Sequence, residues 1–257
     1  MALVFRPRCD AFAEIPALAH MVHDWQRDVF HRDPEDTYAQ GDEVWLDLDA
    51  PAAVAITSQQ AEELNREEAE YLARLRDRFD PPPPDYPDKA TLIAELDAPS
   101  MAAFVDAIGR AMAALSAAMS WGNLTVLPMS RAPILIQEND APQVAAAEVA
   151  LLDMGLTRDF EGAMDAPAEK MAGAFGPLFW IARCNASAPS IALGAAGSSI
   201  AGMLCKYGNI HFYVCDPADM PGFVQALAAC GFLVPEDGLC RERFSETGVI
   251  DNRQIIL

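Results

Sequence analysis

The sequence predicts an α+β protein in which helices pack on a mixed or antiparallel sheet, and three observations carry that prediction. Period-two alternation, the mark of a strand with two different faces, appears in several short segments. Between them lie longer segments with apolar residues three or four positions apart, as amphipathic helices require. A strand–helix unit also occurs twice, at residues 131–156 and 207–232.

The second unit is the more legible. Ile210, Phe212 and Val214 alternate with His211, Tyr213 and Cys215. Asp216-Pro217 ends the strand, because proline has no amide to give to a ladder. Asp219 is placed to cap the helix that follows. Met220, Phe223, Val224, Leu227 and Cys230 form one helical stripe, and Gly231 stands where a left-handed C′ residue is wanted. The earlier unit aligns without gaps, Ile134 on Ile210, Asp140 on Asp216, Leu151 on Leu227 and Gly155 on Gly231. Duplication explains the match. The alternative is that any strand followed by a capped helix and a glycine aligns in this way.

From the N-terminus, residues 3–5 read as a short strand and 15–30 as a helix that buries Leu18, Val22, Trp25 and Val29. The opposite side of that helix gathers His20, His23, Asp24, Arg27 and His31. No ligand motif supports a metal there, and the permanent charge of Arg27 opposes one. The stripe is expected to be solvent-exposed, with Arg27 paired to Asp24 or His31. Residues 31–49 are acidic and turn-rich, closing on a strand-like segment at 44–48, and 54–57 read as another short strand. Thr57 and Gln60 form a capping box for a helix to residue 79, with Leu64, Tyr71, Leu75 and Phe79 facing inwards. Four prolines, Pro81 to Pro84, then hold the chain extended. The predicted organisation is an acidic, mainly helical region at 1–80, a proline-rich linker or strap at 81–87 and an α+β domain at 88–257.

Within that domain, residues 88–97 and 99–120 read as helices, the second carrying Asp106 and Arg110 a turn apart as an ion pair would. Residues 124–127, 134–137 and 178–184 read as strands, and 143–154 as a helix. Residues 190–207 fit either a hairpin or a strand feeding a helix. The tail, 243–257, reads as one or two strands.

The formal net charge is −20. It is unevenly placed: residues 1–97 hold 22 acids against 9 bases, and 176–257 hold 7 against 5. Nucleic-acid binding is not expected, because neutralising phosphates takes basic residues in number. No segment reads as a membrane span, since the best apolar stretch, 99–120, carries charge. The N-terminus has charges where an export signal needs an apolar core, so a cytoplasmic protein is expected. The six cysteines form no CxxC pair and fit a reducing compartment.

Two constellations stand out as chemistry. Gly194, Gly197 and Ser198 make a glycine-rich turn after Ile191-Ala192-Leu193, the nearest thing to a phosphate cradle if it opens a helix, and otherwise a tight turn. His211, Tyr213 and Cys215 share one face of their strand and line a cleft if helices cover the other face. His211 cannot reach Cys215 directly, four strand residues being about 13 Å, so a nucleophile–base pair needs a partner from elsewhere, such as Cys184 or Tyr207. No metal or cofactor set is assembled by spacing. The composition therefore favours a non-catalytic acidic interaction module for a basic protein partner. The alternative is a small-molecule enzyme or ligand-binding protein using the His211 face or the Gly194–Gly197 turn.

Overall fold

The computed structural model describes residues 3–30, 37–44, 52–76, 80, 83 and 85–245. They divide into two compact units, Asp24–Phe79 and a larger one of Met1–His23 with Asp80–Leu257. The chain opens with β1 (Val4–Arg6), α1 (Arg8–Glu14) and α2 (Pro16–Phe30). The smaller unit holds β2 (Glu43–Val44), β3 (Val54–Ala55) and α3 (Ser58–Arg76). Then follow β4 (Ala90–Leu96), α4 (Met101–Ala118), β5 (Asn123–Pro128), α5 (Pro142–Asp153), β6 (Ala163–Pro167) and α6 (Ala168–Cys184). The chain closes with β7 (Ile191–Gly194), β8 (Ile200–Leu204), β9 (Asn209–Val214), α7 (Met220–Ala229) and β10 (Phe232–Leu233).

The fold is α+β. Eight strands form one sheet in the order β1-β6-β5-β7-β8-β9-β4-β10, every pairing antiparallel. Register sorts the side chains into two faces. Val126, Leu193 and Phe212 lie on the face buried with Phe104, Phe175, Phe179, Phe223 and Leu227 of the helices. Here α4 and α6 cross closely: a Cβ on Gly109 would fall 2.0 Å from the Ala172 carbonyl oxygen, so only glycine fits. By length and composition α4 is apolar enough to cross a membrane, but its Phe104, Ile108, Met112 and Leu115 are buried in this core. Asp106 and Arg110 are both exposed, and the pairing expected between them is not among the ion pairs of the described residues. The other sheet face receives Ile15 and the first turn of α2, where the Ile15 and Leu18 side chains approach Gly194 of β7.

Several sequence expectations are corrected. Residues 178–184 are the last turns of α6, not a strand; Leu178, Phe179 and Ile181 are all buried, and a short run of mostly apolar, mostly buried residues does not distinguish helix from strand by its period. Residues 90–96 are strand β4, not a helix, with Ala94 and Leu96 turned to the core. Residues 134–137 form no strand. Ile134 and Leu135 are both buried, and the segment is tied by side chains: Asn185 Nδ2 donates to the Gln137 carbonyl at 3.1 Å, and Ser187 N donates to Gln137 Oε1 at 2.9 Å. Only the helix and its glycine stop are common to 131–156 and 207–232, with φ of +98° at Gly155 and +84° at Gly231. Residues 190–207 are the hairpin β7–β8.

Residues 3–23 are grouped with the larger unit. β1 is an edge strand of the main sheet, and buried Arg8 pairs with buried Asp80 at 2.6 Å. In the smaller unit the capping box is made: Gln60 N donates to Thr57 Oγ1 at 3.3 Å, and Thr57 N to Gln60 Oε1 at 2.9 Å. Tyr71 is exposed, not inward-facing. Strand-like 45–48, three of the four prolines (Pro81, Pro82, Pro84), His31 and the tail from 246 onwards lie outside the described residues.

Candidate metal centre

The site begins with a hairpin. β8 and β9 are joined by a turn in which Gly208 N donates to the Cys205 carbonyl at 3.0 Å and Cys205 N to the Asn209 carbonyl at 2.9 Å. Cys205 therefore stands opposite Asn209, while Met203 stands opposite His211. Cys205, Asn209 and His211 thus share one sheet face, with Cys205 and His211 as diagonal neighbours across the strands. That face is turned away from the α4–α7 core.

The third component arrives from the C-terminal segment. Arg241 is held to Asp237 at 2.6 Å, which shapes the loop before the crossing. Arg183, at the end of α6, binds Glu242 through both guanidinium nitrogens at 2.9 and 3.0 Å and also donates to the Lys206 carbonyl at 2.8 Å. Arg243 donates to the Leu96 carbonyl at 2.8 Å, closing onto the end of β4. Phe244 stacks against Phe104 and Phe179 with ring centroids 5.4 and 6.1 Å away. Gly208, at φ +85°, leaves room for that ring: a Cβ there would sit 2.2 Å from Phe244 Cε2. Residues 240–244 thus run from the His211 face to the helix side at the β8–β9 turn.

This path lays Cys240 on the hairpin. Its Sγ is 3.1 Å from His211 Nε2 and 3.6 Å from Cys205 Sγ. Asn209, fully buried, donates from Nδ2 to Cys240 Sγ at 3.1 Å and to the Arg241 carbonyl at 3.0 Å. The ligand atoms of Cys205, His211 and Cys240 all lie within 4.8 Å of one another. Cys205 is buried, whereas His211 and Cys240 are half-buried, so the cluster is reached from one side. Burial pushes the Cys205 thiol up to about 12, with Cys240 adding to the rise and the Tyr207 amide opposing it. Burial lowers the His211 imidazole below its ordinary value, which favours the neutral ring.

No protein-family model matches this chain, and no curated protein or solved structure matches it.

The structure separates the residues that the sequence grouped. His211 joins Cys240 and Cys205, not Tyr213 and Cys215. Tyr213 lies under Lys89, whose Nζ is 5.5 Å from the ring centroid, and 6.2 Å from the His20 ring. Cys215 is buried close enough to Tyr86 to add to the rise in that phenol's pKa, which burial mainly causes. Cys184, offered as a partner for His211, is fully buried at the end of α6 among the core residues. Gly194, Gly197 and Ser198 form a closed strand-to-strand turn. Ser198 N donates to the Ala195 carbonyl at 3.1 Å, and Ser198 Oγ accepts from Ile200 N at 3.0 Å. That turn opens no helix, and it presents no helix N-terminus to a phosphate. The stripe on α2 is exposed only in part: Arg27 is exposed, but His20 and Asp24 are buried, His20 stacks on Tyr86 at 5.2 Å, and Arg27 pairs with Asp24 at 2.8 Å as expected.

Cys205 and Cys240 were missed by sequence reasoning. Residues 205 and 211 are six apart across a turn, and same-face parity through a hairpin is a readable signal. Nothing local points from either to Cys240.

Proposed function

We propose that this protein binds a thiophilic d10 cation, zinc in the first instance, through Cys205, His211 and Cys240. The observation that carries the reading is the spacing of the three donors. With Zn–S near 2.3 Å and Zn–N near 2.05 Å, tetrahedral ligands stand roughly 3.8 Å apart for two sulfurs and about 3.5 Å for sulfur and nitrogen. Two of the separations here are 3.6 and 3.1 Å and the third, Cys205 to His211, is within 4.8 Å, so side-chain rotations of about 1 Å bring the three donors to that spacing.

The surroundings suit the same ligand. A neutral imidazole is the ligand form of histidine, and binding at Cys205 would release the proton that burial holds on its thiol. Asn209 already donates to Cys240 Sγ, an outer contact of the kind that orients and stabilises a thiolate ligand. Three protein donors leave one position for water or a small ligand, the arrangement of reactive rather than closed zinc sites. The reading is a version of the small-molecule-binding alternative, with His211 kept and its companions replaced.

The test uses the full chain, stripped with a chelator and titrated with zinc against a chromophoric competitor. One equivalent should bind, with loss of most affinity in His211→Ala and in Cys240→Ser. Unchanged binding in both variants overturns the proposal.

A second reading has its own observation. Glu62, Glu63, Glu67 and Glu70 are exposed along α3, a solvated acidic face that fits docking of a basic protein partner by the smaller unit.

A further inference from the structure

We propose that Cys205 and Cys240 form a hydroperoxide-sensitive thiol pair that closes to a disulfide. The chemistry rests on the geometry of the pair alone. Its consequence, loss of the bound cation, rests on the metal reading above.

The two sulfurs stand 3.6 Å apart, and a disulfide needs about 2.05 Å. The remaining approach of roughly 1.5 Å is within the reach of side-chain rotation, and Cys240 lies in a segment outside helix and strand. Exposure orders the two steps. Cys240 is half-buried and meets solvent; Cys205 is buried behind it. Cys240 is also the sulfur contacted by polar nitrogens, His211 Nε2 and Asn209 Nδ2, both at 3.1 Å.

In the first step the Cys240 sulfur attacks a hydroperoxide. The O–O bond breaks, an S–O bond forms, and the thiol proton leaves on the departing oxygen as alcohol or water, giving the sulfenic acid. In the second step the Cys205 sulfur attacks the Cys240 sulfur. The S–S bond forms, the S–O bond breaks, and the hydroxyl leaves with the Cys205 proton as water. Two electrons pass from the sulfurs to the peroxide, and a dithiol reductant reverses the change. Two of the three cation donors are consumed in the bond, so oxidation and cation binding exclude each other.

The test uses the full chain, stripped of metal, with one equivalent of hydrogen peroxide. Thiols titrated after denaturation should fall from the six of the sequence to four, and peptide mass mapping should show one Cys205–Cys240 bridge that dithiothreitol removes. Cys205→Ser should stop at a sulfenic acid on Cys240 that dimedone traps. If that variant does not fold, the wild-type peptide map decides alone. Oxidation confined to exposed Cys9, with Cys205 and Cys240 still free, overturns the proposal. A parallel sample saturated with zinc separates the two readings. Protection from peroxide by at least tenfold in rate supports both. Tight zinc binding without any bridge in the stripped protein sinks the thiol pair alone, and a bridge formed equally fast in the presence of zinc sinks its coupling to the metal.

Discussion

Replacing Arg183 with Met should release the C-terminal segment and leave the rest of the domain folded. Arg183 and Glu242 are a buried pair, with side chains 4% and 8% exposed. Breaking such a pair from one side costs about 3–5 kcal/mol when the other charge stays buried. Glu242 has a way out, because it belongs to a segment that can leave. Without the pair, docking of residues 240–245 rests on partial burial of Phe244, worth about 2 kcal/mol, and about four hydrogen bonds near 1 kcal/mol each. Ordering six residues costs roughly 1 kcal/mol apiece, so the two sides nearly cancel. The segment is therefore docked by roughly the energy of the ion pair, and Arg183→Met should leave it open about half of the time. The assay is tryptic cleavage after Arg243 under native conditions, since cleavage tracks the open population when opening is fast. With the variant open about half of the time, a change of 3 kcal/mol corresponds to a cut roughly seventyfold faster, each 1.4 kcal/mol being tenfold. Saturating zinc should slow the cut again, because Cys240 arrives on this segment and a ligand stabilises the state that it binds. Cleavage at the wild-type rate in Arg183→Met would refute the reasoning, as would global unfolding with a loss well beyond 5 kcal/mol.

Two further predictions concern the core and the charge. Leu227 is fully buried and Val224 is 37% exposed one turn away, so Leu227→Ala should cost about 2–5 kcal/mol and Val224→Ala less than about 1 kcal/mol in urea unfolding; equal losses mean that α7 does not pack as described. Reversing Glu62, Glu63 and Glu67 to Lys should slow association with a lysine-rich probe peptide and flatten its salt dependence, because exposed charges act over roughly 8 Å at physiological ionic strength. An affinity for that peptide independent of salt removes the acidic-docking reading.

The fold was legible where two periodicities met. Around Asp216 the alternation of β9 gives way to the stripe of α7; Phe223 and Leu227 are buried as the stripe requires, whereas Val224 of the same stripe is exposed and the cap at this turn comes from Asp216 rather than Asp219. It failed where burial is complete or where side chains replace a ladder. The end of α6 has apolar residues on more than one side, with Leu178, Phe179, Ile181 and Cys184 all buried, so its pattern carries no clear period. Residues 134–137 have the composition of a strand, yet Gln137, Asn139 and Asn185 satisfy their polar groups in a buried network: Asn139 Nδ2 donates to Asn185 Oδ1 at 2.9 Å. Tertiary partners of that kind have no local signature.

The candidate site divides along the same line. His211 was singled out because strand alternation puts it on a defined face, and that placement is a local property. Cys205 follows from the same alternation once the turn at Gly208 is placed, so the pair is a hairpin feature. Cys240 is a different kind of residue in the site. Its position depends on Arg183 finding Glu242, 59 positions along the chain, and on Phe244 entering the space that a glycine at 208 leaves open. Neither event is encoded near Cys240. A donor set completed by a docked segment makes assembly of the site and closure of the segment one equilibrium, and a change at Arg183, which contacts none of the three donors, should therefore be felt at the sulfur of Cys240.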